Sequence, residues 1–253
     1  MSATLRGLAL RLEGPLQSWG VRAQGDTVPT ADAPTKSGLA GLLGAALGVP
    51  RGDRGALDAL GARFHLAVRL DRPGRAAEDY HTVADVPAPE GARTKGTVIS
   101  RRWYLHDASF AAVLVETAPG SLDPLLAALQ APVWAPYLGR RSCPPSEPVL
   151  ALPGLLTGTW DAMLDAIPRA ARATGRDVRV CATLLDGGVP AGYRLIRTER
   201  VEDAFARRAV AHLRRDDRRA AAPSRAVDTV TGWMPGDAPP VDAERDTTED
   251  WMP

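Results

Sequence analysis

Three short stretches bring together the side chains that could meet a polyanion. "LQSWG" and "TKSG" supply Gln17, Ser18, Trp19, Lys36, Ser37 and Gly38. "ISRRWYLHD" supplies Arg101, Arg102, Trp103, Tyr104 and His106. "WAPYLGRRSCP" supplies Trp134, Tyr137, Arg140, Arg141 and Ser142. Single-stranded RNA asks for this mixture: arginine and lysine hold phosphates, aromatic rings stack on bases, and N–H groups at helix starts or tight turns take phosphate oxygens. A plainer reading stands beside each site. Trp19 and Trp134 would be core residues, and the paired arginines a solvated strand edge or loop.

Pro34–Gly48, "PTKSGLAGLLGAALG", looks at first like a nucleotide-phosphate loop. The order of its residues argues otherwise. A phosphate loop places its glycines before the Lys-Ser/Thr pair, whereas here Lys36 and Ser37 come first. A helix start fits better. Thr35 or Ser37 caps it, and Leu39, Leu42, Leu43, Ala46 and Leu47 recur at helical spacing. Each helix glycine costs roughly 1 kcal/mol against alanine, so their density implies a helix pressed tight on a sheet. The free N–H groups of its first turn, beside Lys36, form a candidate anion site.

Catalytic patterns are weaker. His65, His81, His106 and His212 are the only histidines, and none sits in a metal-binding motif. "GTWDAM" and "LLDGG" resemble no nucleophile elbow. The enzymatic alternative is a metal-independent ribonuclease using Tyr80 or Tyr104 with His81, His106 or Lys95 as acid and base. Neither reading calls for a cofactor or metal. A third reading is a structural bridge that contacts only protein.

The elements that must position these groups follow from periodicity. "TLRGLALRLEG" alternates as a first strand, and a long loop after it leads to the glycine-rich helix. "ALDALGA" is a short helix, "RFHLAVRLD" a strand, "SFAAVLVE" a strand, and "SLDPLLAALQAP" a helix with Ser121 as cap and Asp123 in the first turn. Between the last two strands lies a Pro/Gly-rich, charged excursion whose ends look like strands. The expected fold is α+β: a ferredoxin-like (RRM-like) βαββαβ core over 1–148, with a β-hairpin thumb at about 78–106. A smaller β-rich, arginine-rich region would fill 149–235, and an acidic, Pro-rich tail 236–253.

Composition sets bounds on these readings. The chain has 253 residues, 45% apolar and 24% charged, with a net charge of +1. That is globular composition, without the strong positive charge of many nucleic-acid binders. A basic face balanced by the acidic tail remains compatible with it. No apolar run suits a membrane span or a signal peptide, and two cysteines, Cys143 and Cys181, fit a reducing cytoplasmic setting.

The fragments "LRLEGPLQSWG", "PTKSGLAGLLGAALG", "DYHTV", "YLHDASFAAVLV" and "PYLGRRSCP", in that order between about Leu5 and Pro148, resemble the CasD family of type I-E CRISPR Cascade complexes. The resemblance implies a repeat-associated RNA-binding fold with a thumb. It implies a non-catalytic subunit that caps the 5′ repeat-derived handle of the crRNA. Its partners would be the first backbone subunit and the large PAM-reading subunit, with target DNA as a further candidate. In the related type I-C systems the corresponding subunit is itself an endoribonuclease. On this reading Gln17, Ser18, Trp19, Lys36, Ser37, Gly38, Arg101, Arg102, Tyr104, Tyr137, Arg140 and Arg141 meet RNA.

Overall fold

The computed structural model describes residues 5–21, 26–84, 96–170, 173, 177–182, 192–202 and 207–216. The expected thumb tip around Pro87 to Ala92, Lys95, Arg218, Arg219 and the acidic tail lie outside the described residues.

In chain order the elements are β1 (Leu5–Glu13), β2 (Leu16–Gln17), β3 (Trp19–Gly20), β4 (Thr27–Val28), β5 (Thr30–Ala31), α1 (Lys36–Leu47), α2 (Arg54–Ala62) and β6 (Phe64–Arg72). There follow β7 (Arg75–Val83), β8 (Val98–His106), β9 (Ser109–Glu116), α3 (Asp123–Gln130), β10 (Leu150–Gly158) and α4 (Trp160–Ala166). The chain continues through β11 (Asp177–Ala182), β12 (Arg194–Glu202) and β13 (Arg207–Asp216). A seven-stranded sheet runs in the order β10-β1-β9-β6-β11-β13-β12, with each pairing antiparallel. No described helix is long and apolar enough to cross a membrane.

β1 explains how both faces of this sheet are covered. Its alternation is large against small: Leu8, Leu10 and Leu12 point into one core cluster with Leu39, Leu42 and Leu43 of α1 and Leu125 of α3. Ala9 points into a second cluster with Ala67, Ala111 and Met163 and Leu164 of α4. Small residues on that side let α4 lie close. A Cβ at Gly7 would fall 2.6 Å from Met163 Sδ. The sheet face that an RRM-like protein leaves open for RNA is therefore occupied by α4 across β1, β9 and β6.

Several expectations need correction. The chain after 149 continues the same sheet: β10 pairs with β1 and β11 pairs with β6. A boundary at 148 would cut through that sheet. Pro153 and Gly154 inside β10 hide it from a periodicity reading. α4 has no counterpart in the sequence reading. Ser121 is not the cap of α3; the N-cap is Leu122, without a side-chain bond, and Ser121 Oγ donates to Arg63 O instead. α1 begins as expected. Thr35 is its N-cap, accepting from Gly38 N, and Gly48 ends it at φ 74°. Its glycines fit other partners than the sheet: a Cβ at Gly38 would meet the Trp19 ring at 2.8 Å, and one at Gly44 would meet Leu57 of α2 at 2.7 Å.

Candidate nucleic-acid interface

The thumb is an antiparallel hairpin of β7 and β8, pairing Arg75 with His106 through Val83 with Val98. It leaves the main sheet at the end of β6, where Gly74 turns at φ 74°. A Cβ there would fall 2.6 Å from His106 O. Most of the hairpin is exposed, so its own packing cannot hold it in place. Backbone pairing at its base does. β2 pairs antiparallel with Leu105 and His106, and β4 pairs in parallel with Arg101 and Arg102.

A third segment, Tyr137 to Cys143, closes over this junction. Leu138 N donates to Cys143 O at 2.8 Å, and Cys143 N donates to Arg140 O at 2.8 Å, which makes the loop compact. Ser18 N donates to Leu138 O at 3.0 Å. Gly139 sits so close to Ser18 that a Cβ would be 1.6 Å from its carbonyl oxygen, and its φ is 91°. Only glycine meets both demands. Arg140 then reaches across the seam. Its guanidinium lies 4.6 Å from the Tyr104 ring centroid, and Nη2 donates to Val28 O at 3.2 Å. Its Nη1 is buried with no partner among the described residues. A buried donor on a cation is costly to leave unmade.

Around that point the structure sorts the sequence-expected residues into two groups. Arg101, Arg102 and Arg141 are exposed, and Tyr137 is half-buried. Arg101 lies 5.6 Å from the centroid of the exposed Tyr80 ring and 3.7 Å from Glu78. Arg102 Nε donates to Ser100 Oγ. These side chains are available to a ligand. The side chains of Gln17, Ser18 and Trp19 are buried, against the expectation of an exposed contact surface there. Gln17 is fully buried, donating to Leu12 O and Ala108 O at 3.1 and 2.8 Å while accepting from Trp19 Nε1 at 3.0 Å. Ser18 Oγ donates to Trp103 O. These three lock the loop, the thumb and the sheet together. Tyr104 is likewise buried, beneath Arg140, so it supports a cation and offers no stacking face.

Lys36, Ser37 and Gly38 form the first turn of α1 and are half-buried. Lys36 Nζ stands 5.4 Å from the ring centroid of the buried Phe64, and Ser37 Oγ is 3.3 Å from Thr35 Oγ1. Two further aromatics are exposed: Tyr80, 55% exposed, which the sequence offered only as a ribonuclease residue, and Trp134, 48% exposed, for which it left a polyanion contact and a core place open. For Tyr80 the signal was its place opposite Arg101 on an alternating hairpin.

A conserved-domain model described as CRISPR-associated protein (Cas_Cas5) matches residues 7–226. This chain belongs to the Cas5 family. The match takes in all seven strands of the main sheet from Gly7 onward, the thumb and the 137–143 loop. Among curated relatives, the CRISPR system Cascade subunit CasD of Escherichia coli (strain K12) is 40% identical over 153 residues, covering 56% of this chain and 68% of that protein. Among solved structures, a chain of a CRISPR RNA-guided surveillance complex aligns with a TM-score of 0.61 and 29% identity. That alignment covers 83% of this Cas5 chain and 88% of the other.

Proposed function

We propose that this Cas5 chain is the subunit of a type I-E Cascade complex that caps the 5′ repeat-derived handle of the guide RNA. In that role it meets a backbone subunit and the large subunit, and acts in the cytoplasm without a cofactor. Family membership and the 40% identity to a Cascade CasD subunit support the assembly. The observation that carries RNA binding is Arg140. It is held over Tyr104 with one guanidinium nitrogen buried and unpartnered, beside the exposed Arg101, Arg102 and Arg141. An opening of the seam on binding would bring a phosphate oxygen to that nitrogen as its missing acceptor.

A ferredoxin-like core fits the strand order. The first, second, third and fourth core strands, β1, β6, β9 and β10, lie side by side as fourth-first-third-second, with helices between the first and second and between the third and fourth. The reading is non-catalytic, on the geometry of the thumb. His106 pairs with Arg75, and His81 lies six residues further along β7. At about 3.3 Å per residue that separates them by roughly 20 Å, too far to serve one scissile phosphate as acid and base. Tyr80 falls on the opposite face of the hairpin from both His81, its chain neighbour, and His106, the partner of Arg75, while Tyr104 shares a face with His106 but is buried beneath Arg140.

The test is the salt dependence of handle-RNA binding by Arg140→Ala and Arg140→Lys. Loss of one single-strand phosphate contact lowers the log–log slope by about 0.7. We expect that change for alanine and substantial recovery for lysine. A slope unchanged in Arg140→Ala, with folding verified by circular dichroism, removes Arg140 from the interface.

A further inference from the structure

The connection that leaves α3 is fixed along its backbone and exposed along its side chains. Gly48 N donates to Ala45 O at 3.2 Å and Val49 N to Gly44 O at 2.8 Å, which closes the last turn of α1. Val133 N then donates to Ala46 O at 2.9 Å and Trp134 N to Ala45 O at 3.1 Å. Carbonyls that a helix leaves open at its C-terminus are thus taken by this segment. A Cβ at Gly48 would lie 3.1 Å from Val133, so the segment sits directly on the helix end. Pro132 and Pro136 restrict its backbone further. Yet Ala131 to Ala135 are exposed without interruption, Val133 at 63%.

Within that run the large side chain is Trp134. Trp19 is fully buried, Trp160 is buried against Tyr193, and Trp103 is half-buried. Trp134 is the exposed tryptophan among the described residues, and within that set no aromatic ring or cation lies over its face. An indole on a backbone already ordered can be covered by a ligand without the entropy cost of fixing the chain. Two observations choose the ligand. The segment runs straight into the thumb–loop seam: Trp134 lies three residues before Tyr137 and four before Leu138, whose carbonyl accepts from Ser18 N. Four residues span at most about 14 Å, so the indole stands near Arg140 and Arg141 on one continuous loop. The path is also free of charge. Residues 124–139 contain no charged side chain, and α1 carries no carboxylate. Such surroundings neither repel a polyanion nor hold its phosphates, and they leave a flat apolar face.

We propose that Trp134 is a stacking platform for one base of the RNA strand whose phosphates meet Arg140 and Arg141. This rests on the handle-binding reading above. Every base has a π face, and the neighbours Val133 and Ala135 bring no hydrogen-bonding side chain, so the platform tolerates any base. The stack adds affinity without a phosphate contact and therefore leaves the salt slope untouched.

The experiment titrates the full chain with labelled 5′-handle RNA over a range of salt concentrations. Trp134→Ala should weaken binding about five- to 150-fold at every salt concentration, with the log–log slope unchanged. Trp134→Phe should keep most of the affinity. Arg140→Ala/Arg141→Ala should instead lower the slope. Handles made abasic at one position at a time locate the stacked base: at that position Trp134→Ala should cost nothing further. Unchanged affinity in Trp134→Ala overturns the platform, and the handle reading survives if the arginine pair still lowers the slope. If neither variant acts, both readings fail. A lower slope in Trp134→Ala, or an equal loss on every abasic handle, also overturns base stacking. So does intact RNA affinity with weakened assembly onto other complex subunits, which would make Trp134 a protein contact. Should Trp134→Ala melt below the parent, Trp134→Leu keeps an apolar side chain, removes the π face and gives the same reading.

Discussion

Among single residues, the buried polar groups divide into those that are satisfied and those that are not. Gln17 was legible as a polar residue near a tryptophan, but not as a buried one. Two of its three bonds are local, to Leu12 O and from Trp19 Nε1, but the third, to Ala108 O, joins it to a residue 91 positions away. Gly139 could not be recognised either, since its necessity comes from Ser18, distant along the chain. Tyr193 is the opposite case. Its hydroxyl is buried without a partner among the described residues, and its ring lies 5.8 Å from Trp160 and 5.0 Å from the Arg215 guanidinium. Burial pushes the phenol pKa up, with the nearby Arg215 pulling it back only in part. The sign follows: the folded state holds this proton more tightly than the unfolded chain does. Its stabilising contribution is complete below about pH 10, the ordinary tyrosine value, and is lost as pH rises above it. Tyr193→Phe should therefore flatten the alkaline fall in stability above about pH 10 while leaving neutral stability equal or higher. Urea melts at pH 7 and pH 10.5 check this, and an alkaline fall as steep as the parent's would contradict it.

Among the elements, the strands with clean alternation and the capped helix α1 were readable because local pattern and final environment agree. β10 was not, because Pro153 and Gly154 interrupt its pattern and its pairing with β1 is a long-range choice. α4 was hidden by its length of seven residues, too short for periodicity to declare itself. What anchors the end of α4 is ionic. Asp71 accepts from Arg69 Nε at 2.6 Å, from Arg11 Nη1 at 3.1 Å and from Ala170 N at 3.1 Å. Arg69 in turn donates to Leu164 O and Ile167 O at the C-terminal end of α4. Asp71 and Arg69 are each 2% exposed, so removing either leaves a charge stranded. Asp71→Ala should cost about 3–5 kcal/mol in equilibrium unfolding. A loss under about 1 kcal/mol would mean that the anchor contributes little.

For the whole molecule, the sheet works as a backing plate and the chemistry lies at its end and edge. α4 closes the face that an RRM-like fold would offer to bases, so the proposed RNA contacts fall to the thumb and the 137–143 loop. The near-neutral net charge of +1 gives no sign of this, and Glu78 and Asp79 stand beside Arg101 and Arg102 on the thumb itself. The five ordered fragments made the family legible. They could not give the division between buried anchors and exposed contacts, which depends on how loops distant in sequence meet. The most direct test of handle capture at the thumb–loop seam is photo-crosslinking of the full chain to intact 5′-handle RNA, mapped by mass spectrometry. The account predicts crosslinks at Tyr80, Arg101, Arg102, Tyr137 and Arg141, with none at Gln17 or Trp19. Crosslinks confined to the α4 side of the sheet, or to Gln17 and Trp19, would contradict it.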